Sequence, residues 1–137
     1  MAFVLDASAA LALAFPDEGA DDATVGAVEG RLRREQAWVP AVWHLEVGNA
    51  LLVAVRSGRI DEAVAREALD LLSALPVEAA GGSPWAALRA AWSLARTHGL
   101  TTYDAAYLAL AMERGVPLAT LDRRLRRAAR AAGVPLL

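Results

Sequence analysis

Short apolar runs alternate with longer stretches of helical pattern along the chain. Runs of three to five apolar residues bounded by turn residues predict buried strands, at 3–5, 37–39, 76–79 and 117–121, with 134–137 as a possible fifth. Between them, caps and periodicity predict helices at 7–15, 22–35, 40–56, 61–74, 83–98, 101–114 and 122–132. An acidic turn is expected at 16–22.

Short apolar strands separated by helices indicate a parallel sheet covered on both faces. We therefore expect an α/β fold, a three-layer sandwich with a central parallel sheet of four or five short strands flanked by helices. The 137 residues suit one domain, 1–137, with a single core. Hydrophobic residues make up 56% and charged residues 22%, which is a globular composition.

Composition limits the chemistry that is available. Cysteine is absent and all fourteen cations are arginine, which excludes disulfides, thiol catalysis and any catalytic or phosphate-loop lysine. The net charge of −2 argues against a generic polycation but leaves room for a local basic patch. No segment resembles a signal peptide or a membrane span, so we expect a cytoplasmic protein.

Two aspartates lie where open α/β sheets bind ligands. Asp6 ends the first predicted strand and Asp122 follows the fourth, so both belong at the carboxyl edge of the sheet. Each has a simpler interpretation as the N-cap of the helix that begins next.

Two further acids lie within apolar helices. Glu46 is surrounded by apolar residues, and Asn49 shares its helical face, whereas the alternative is an exposed polar stripe. Because an unpaired buried carboxylate costs several kcal/mol, a polar site at this face is favoured. Asp104 opens a helix with almost no other charge before Glu113, and with Thr101 it also resembles a capping box.

Four converging carboxylates would require protons or cations. A pair about 5 Å apart costs roughly 3 kcal/mol at an effective dielectric near 20. An all-oxygen set prefers hard ions such as Mg²⁺ or Mn²⁺. No glycine-rich phosphate loop, nucleophile elbow or zinc-protease motif is present, and the lone His44 and His98 are interpreted as structural.

Four segments, at 4–9, 46–51, 100–109 and 118–122, resemble the PIN domain, and within it the VapC-type toxin ribonucleases. They occur in the order that the family has, and the resemblance covers nearly the whole chain. Some members carry a further acid two positions after the last aspartate. This chain has Arg124 there, which leaves the ligand set of a second metal open.

The resemblance implies an endoribonuclease that uses one or two Mg²⁺ or Mn²⁺ ions, is commonly a homodimer, and is inhibited by a small cognate antitoxin. The carboxylates that would bind metal and act in catalysis are Asp6, Glu46, Asp104 and Asp122. The residues that would support them or orient the substrate are Ser8, Asn49, Thr101 and Thr120. The alternatives are a catalytically inactive PIN-like binding module and a nuclease for structured DNA.

An acidic protein that binds RNA needs local positive charge. The last predicted helix offers a candidate RNA-binding stripe, formed by Arg123, Arg126, Arg127 and Arg130. The alternative is a solvated face whose arginines favour the helix end. Trp85 and Trp92, seven residues apart on one helix, are expected in the core or a subunit interface, and the apolar helix at 43–55 could help form an antitoxin groove.

Overall fold

The computed structural model describes residues 1–16 and 22–137. In these residues, helices flank a four-stranded parallel sheet. The strands are β1 (Ala2–Leu5), β2 (Gln36–Val39), β3 (Val77–Ala79) and β4 (Leu118–Ala119). The helices are α1 (Ala7–Ala14), α2 (Asp22–Leu32), α3 (Trp43–Arg56), α4 (Glu62–Ser73), α5 (Pro84–His98), α6 (Thr102–Arg114) and α7 (Arg123–Ala131). The predicted α/β fold is confirmed.

The strand order is β3-β2-β1-β4, so the chain moves outward from β1 in one direction and returns to its other side for β4. Phe3 pairs with Ala37 on one flank, and Leu5 pairs with Ala119 on the other. β1 is therefore central, and Phe3 and Leu5 are fully buried. The reversal of strand order lies between β1 and β4, which is where such sheets form ligand sites.

The turn between α5 and α6 sets where the acidic helix α6 begins. Gly99 ends α5 with a φ of 65°, a left-handed conformation that glycine adopts without steric cost. Two residues later, Thr101 caps α6, and its Oγ1 accepts a hydrogen bond of 3.1 Å from the Asp104 amide. Because the Gly99 turn and the Thr101 cap follow each other directly, His98 at the end of α5 and Asp104 in the first turn of α6 are separated by one short turn.

Three predicted boundaries were wrong for identifiable reasons. The helix predicted from residue 40 begins at Trp43, because the Trp43 amide donates to the Pro40 carbonyl (3.0 Å) and closes a turn first. The strand predicted at 117–121 has two residues, since Thr120 leaves the ladder to bond with side chains near β1. The fifth strand is a single bridge between Leu118 and Leu136. The acidic turn predicted at 16–22 lies mostly outside the described residues.

The expectation that α3 is buried nearly all round was also wrong. Its buried residues follow one helical face, namely Trp43, Val47, Leu51 and Ala54. Leu45 and Val53 on the other faces are 75% and 55% exposed. Trp85 and Trp92 on α5 are exposed as well, which excludes the core as their location. No helix within the described residues is long and apolar enough to cross a membrane.

Leu108 is fully buried in α6 against the sheet, so Leu108→Ala should leave a cavity. We expect the free energy of unfolding to fall by about 2–5 kcal/mol in urea denaturation. Leu45→Ala, at a position largely exposed on α3, is the matched control and should change it by less than about 0.5 kcal/mol. Similar losses for the two variants would contradict the assigned core.

Candidate active site

The Asp6 carboxylate is buried where β1 ends. The Asp6 amide continues the β1–β4 ladder by donating to the Ala119 carbonyl at 2.9 Å. Its Oδ2 accepts two hydrogen bonds of 2.6 Å, one from Ser8 Oγ and one from Thr120 Oγ1. Asp6 occupies the N-cap position of α1, but its side chain makes no capping hydrogen bond, so capping does not explain this carboxylate.

The same two hydroxyls also hold the chain that follows β4. Ser8 Oγ accepts from the Leu121 amide at 3.0 Å, and Thr120 Oγ1 accepts from the Asp122 amide at 3.1 Å. Asp122 is thereby fixed beside Asp6. Its Oδ1 accepts from the Leu125 amide at 2.9 Å, which confirms that Asp122 caps α7. The cap uses only Oδ1 of Asp122, so its other carboxylate oxygen can serve a second role at the site.

Glu46 reaches the site from the first turn of α3. Its Oε1 is buried and has no hydrogen-bond partner among the described residues. The Tyr107 hydroxyl is buried on α6 near Glu46, and it also has no hydrogen-bond partner among the described residues. Asn49, three residues after Glu46, is exposed at the same helical face.

Asp104 is half-buried in the first turn of α6. The Thr101 side chain accepts from its amide, which is one half of the predicted capping box. Burial and the neighbouring acids raise the pKa of Asp104, and a hydrogen bond from the Thr101 side chain partly offsets that rise. Thr101 thus both begins the helix and orients the acid that the helix carries.

The four acids lie near enough to one another for their charges to interact. Burial raises the pKa of Asp6, and repulsion from Asp122 adds to the rise. Burial raises the pKa of Glu46 to about 7, with further contributions from Asp6 and Asp104. The pKa of Asp104 is raised by burial and then by Asp122 and Asp6. The structure therefore brings together all four carboxylates that the sequence singled out.

The residues fit a hard divalent cation by donor chemistry. The donors are carboxylate oxygens, and the unpartnered Glu46 Oε1 is a buried acceptor to which a cation would supply the missing contact. Within the described ranges, no three acidic or histidine side chains are already close enough to enclose an ion. The donor types therefore fit such an ion, and the carboxylates would move towards one another to bind it.

One residue of this region was not singled out from the sequence. Tyr107 is fully buried near Glu46, and its spacing of three residues from Asp104 would have placed it on the same helical face. Arg124, at the position where some family members carry an acid, partly offsets the rise in the pKa of Asp104 that burial and the neighbouring acids cause. By contrast, Arg126 donates from Nη1 to the Thr120 carbonyl at 2.9 Å, so its side chain stabilises the turn between β4 and α7.

Comparison with known proteins concerns the family and the fold of the chain. The PIN domain family model matches residues 3–131. Ribonuclease VapC1 from Mycobacterium tuberculosis is 41% identical over 108 residues, which are 79% of this chain and 77% of the relative.

Two solved structures share the fold. PAE2754 from Pyrobaculum aerophilum is 29% identical with a TM-score of 0.71, and the match covers 99% of this chain and 92% of that one. VapBC2 from Rickettsia felis, bound to a DNA fragment from their promoter, is 12% identical with a TM-score of 0.67, over 100% and 98%. At 12% identity, this second likeness concerns the fold alone.

The raised carboxyl pKa values predict how stability depends on pH. Native Glu46 holds its proton up to about pH 7, whereas the unfolded chain releases it near 4.5. Without divalent cations, the free energy of unfolding should therefore fall as the pH rises between these values. Glu46→Gln should flatten part of this decline in denaturation curves, and Glu113→Gln, at an exposed position on α6, should not. Equal slopes for both variants would contradict the burial of Glu46.

Thr120→Val keeps the side-chain shape but removes the hydroxyl that joins Asp6 to the Asp122 amide. We expect a loss of about 1–3 kcal/mol in the free energy of unfolding at neutral pH, because buried polar groups lose their partner. The control is Thr97→Val, whose exposed hydroxyl donates to the Ser93 carbonyl (3.0 Å). It should cost less than about 0.5 kcal/mol, and losses of equal size would show that the buried network adds nothing.

Proposed function

The chain belongs to the PIN domain family, and we propose that it is a metal-dependent endoribonuclease, the toxin component of a type II toxin–antitoxin system. One observation carries this proposal: four carboxylates from β1, α3, α6 and the start of α7 share one electrostatic site at the strand-order reversal. The relative named ribonuclease VapC1 supports RNA as the substrate. Cleavage of RNA by a toxin of this kind takes place in the cytoplasm.

The metal-binding residues in this proposal are Asp6, Glu46, Asp104 and Asp122, which would hold one or two Mg²⁺ or Mn²⁺ ions. A bound ion of this kind lowers the pKa of water and offsets the negative charge that develops on the phosphate. The raised carboxyl pKa values support the assignment, because a divalent cation would favour the ionised forms that the site alone disfavours.

The remaining polar residues position these acids or the substrate. Ser8 and Thr120 donate to Asp6 and hold its carboxylate in one orientation. Thr101 fixes the start of α6 and therefore Asp104. Asn49, exposed one helical turn after Glu46, is available to orient an RNA phosphate or ribose. No side-chain nucleophile is required, since water attacks the phosphorus.

Positive charge near the site comes from α7. Arg123, Arg127 and Arg130 are exposed and available to RNA phosphates. Arg126 is half-buried and bonded to the Thr120 carbonyl, so its contribution is to hold the β4–α7 turn. The candidate RNA-binding stripe thus divides into an exposed set and one supporting residue.

Exposed apolar faces support a homodimer and an antitoxin as partners. Leu45 and Val53 on α3, and Trp85 and Trp92 on α5, present large side chains to solvent. We propose that these two faces carry the contacts with a second copy and with the antitoxin.

The test is cleavage of single-stranded RNA by the purified chain with Mg²⁺ or Mn²⁺. EDTA should stop it, and Asp6→Asn, Glu46→Gln, Asp104→Asn and Asp122→Asn should each slow it at least about a hundredfold. Asp122→Asn is the most informative variant, because asparagine caps a helix as well as aspartate and α7 should survive. Asp70→Asn, at an exposed position on α4, is the control and should cleave normally.

Two other outcomes identify the alternatives. Equal or faster cleavage of structured DNA in a parallel assay would indicate a DNA nuclease. Failure of the folded chain to cleave either nucleic acid with either ion would indicate an inactive PIN-like binding module. Retained cleavage in Asp6→Asn would refute the metal assignment.

A further inference from the structure

A basic cavity lies between the end of α5 and the side of α7. Its volume is about 380 Å³, and its lining consists of His98, Gly99, Arg124, Arg127, Ala128 and Ala131. Two guanidinium groups and one imidazole face it, and no acid is part of the lining. A cavity of similar size lies between α6 and the segment that follows α7, and none of its lining residues is charged.

The basic cavity and the acidic site are built from the same two stretches of chain. Arg124 lies two residues after Asp122, on the first turn of the helix that Asp122 caps. On the α5 side, the left-handed Gly99 turns the chain from His98 towards Thr101 and Asp104. The charge of Arg124 also partly offsets the rise in the pKa of Asp104 that burial and the neighbouring acids cause. The lining of the cavity therefore lies within a few residues of two of the four acids along the chain.

Helical phase decides which arginines of α7 line the basic cavity. Arg124 and Arg127 are three residues apart, so their side chains share one face. Arg126 lies on a different face and is bonded to the Thr120 carbonyl. Arg123 and Arg130 are exposed outside the lining. The lining of the basic cavity thus combines two arginines of α7 with one histidine of α5.

We propose that the basic cavity is a phosphate subsite, in which Arg124 and Arg127, with His98, bind a backbone phosphate of the RNA next to the one that is cleaved. This inference rests on the proposed function for the identity of the nucleic acid. It makes Arg124 a substrate-binding residue at the position where some family members carry an acid. It also gives His98, which the sequence suggested to be structural, a role in binding.

The chemistry of the lining selects a phosphodiester. Arginine presents a planar fork of donors that matches two phosphate oxygens. A volume of about 380 Å³ is at the lower end of small-ligand sites, which suits one nucleotide unit. An acidic peptide offers similar charge, but only a nucleic acid has a second phosphate that must occupy the adjacent carboxylate site in the same event.

The test measures RNA binding apart from cleavage. A fluorescent single-stranded RNA of mixed sequence is titrated in EDTA with the full chain at several salt concentrations, and its anisotropy is recorded. Arg124→Ala and Arg127→Ala should each weaken binding about three- to tenfold. The double variant should reduce the slope of log affinity against log salt by about 0.7, the value for one phosphate on a single strand. Arg124→Lys should retain the slope of the wild type, because it keeps the charge.

Arg66→Ala is the matched control. It removes the same charge from an exposed pair with Glu62 on α4 and should leave affinity and slope unchanged. If Arg124→Ala and Arg127→Ala behave like this control, or if the wild type has no measurable affinity for RNA, the subsite is refuted. A change only in the affinity for an acidic peptide would refute it too.

Cleavage kinetics separate this inference from the proposed function. Arg127→Ala removes an arginine of the lining and leaves in place Arg124, the arginine that acts on the Asp104 carboxyl. It should raise KM while kcat stays within about twofold, whereas Asp122→Asn should lower kcat. A wild type that binds RNA through the basic cavity but cleaves nothing would refute the proposed function and leave the subsite standing. If the wild type cleaves RNA and Arg127→Ala leaves KM unchanged, the subsite is refuted and the proposed function stands.

Discussion

The buried carboxylate of Asp6 is the constraint on which this site depends. A carboxylate so little exposed is tolerated in an apolar sheet because two hydroxyls donate to one of its oxygens. Those hydroxyls, from Ser8 and Thr120, in turn accept from the amides of Leu121 and Asp122. One buried acid therefore stabilises the junction of β1 and β4, and it also sets where the second acid begins α7.

Gathering the other acids around this junction opposes stability. Burial and mutual repulsion raise the pKa of Asp6, Glu46 and Asp104, so at neutral pH the ionised site costs free energy. The core of the sheet and the helix caps compensate, because the Asp104 amide donates to Thr101 Oγ1 and the Asp122 carboxylate accepts from the Leu125 amide. Cation binding would relieve the same cost, which couples the stability of the fold to the chemistry of the site.

The sequence predicted the residues of the site better than the faces of its helices. Asp6 and Asp122 were found because carboxyl ends of parallel strands meet at one edge whatever the detailed packing. The exposure of Leu45 and Trp85 could not be found, since apolar periodicity does not show which face another element covers. Thr120 shortened β4 through a contact 114 residues distant in the chain, which no local pattern contains.

Net charge was also a poor guide to the surface of this protein, because it does not show where the charges lie. A value of −2 averages acids collected at one edge of the sheet with arginines collected along α7. The structure separates these charges by a few residues, from Asp122 to Arg124, and helical phase then directs Arg126 to the Thr120 carbonyl and Arg124 to the basic cavity. In the proposed complex, successive phosphates of one RNA strand contact first one and then the other of these two oppositely charged regions. The alternation of the two, and not their sum, determines what this surface can bind.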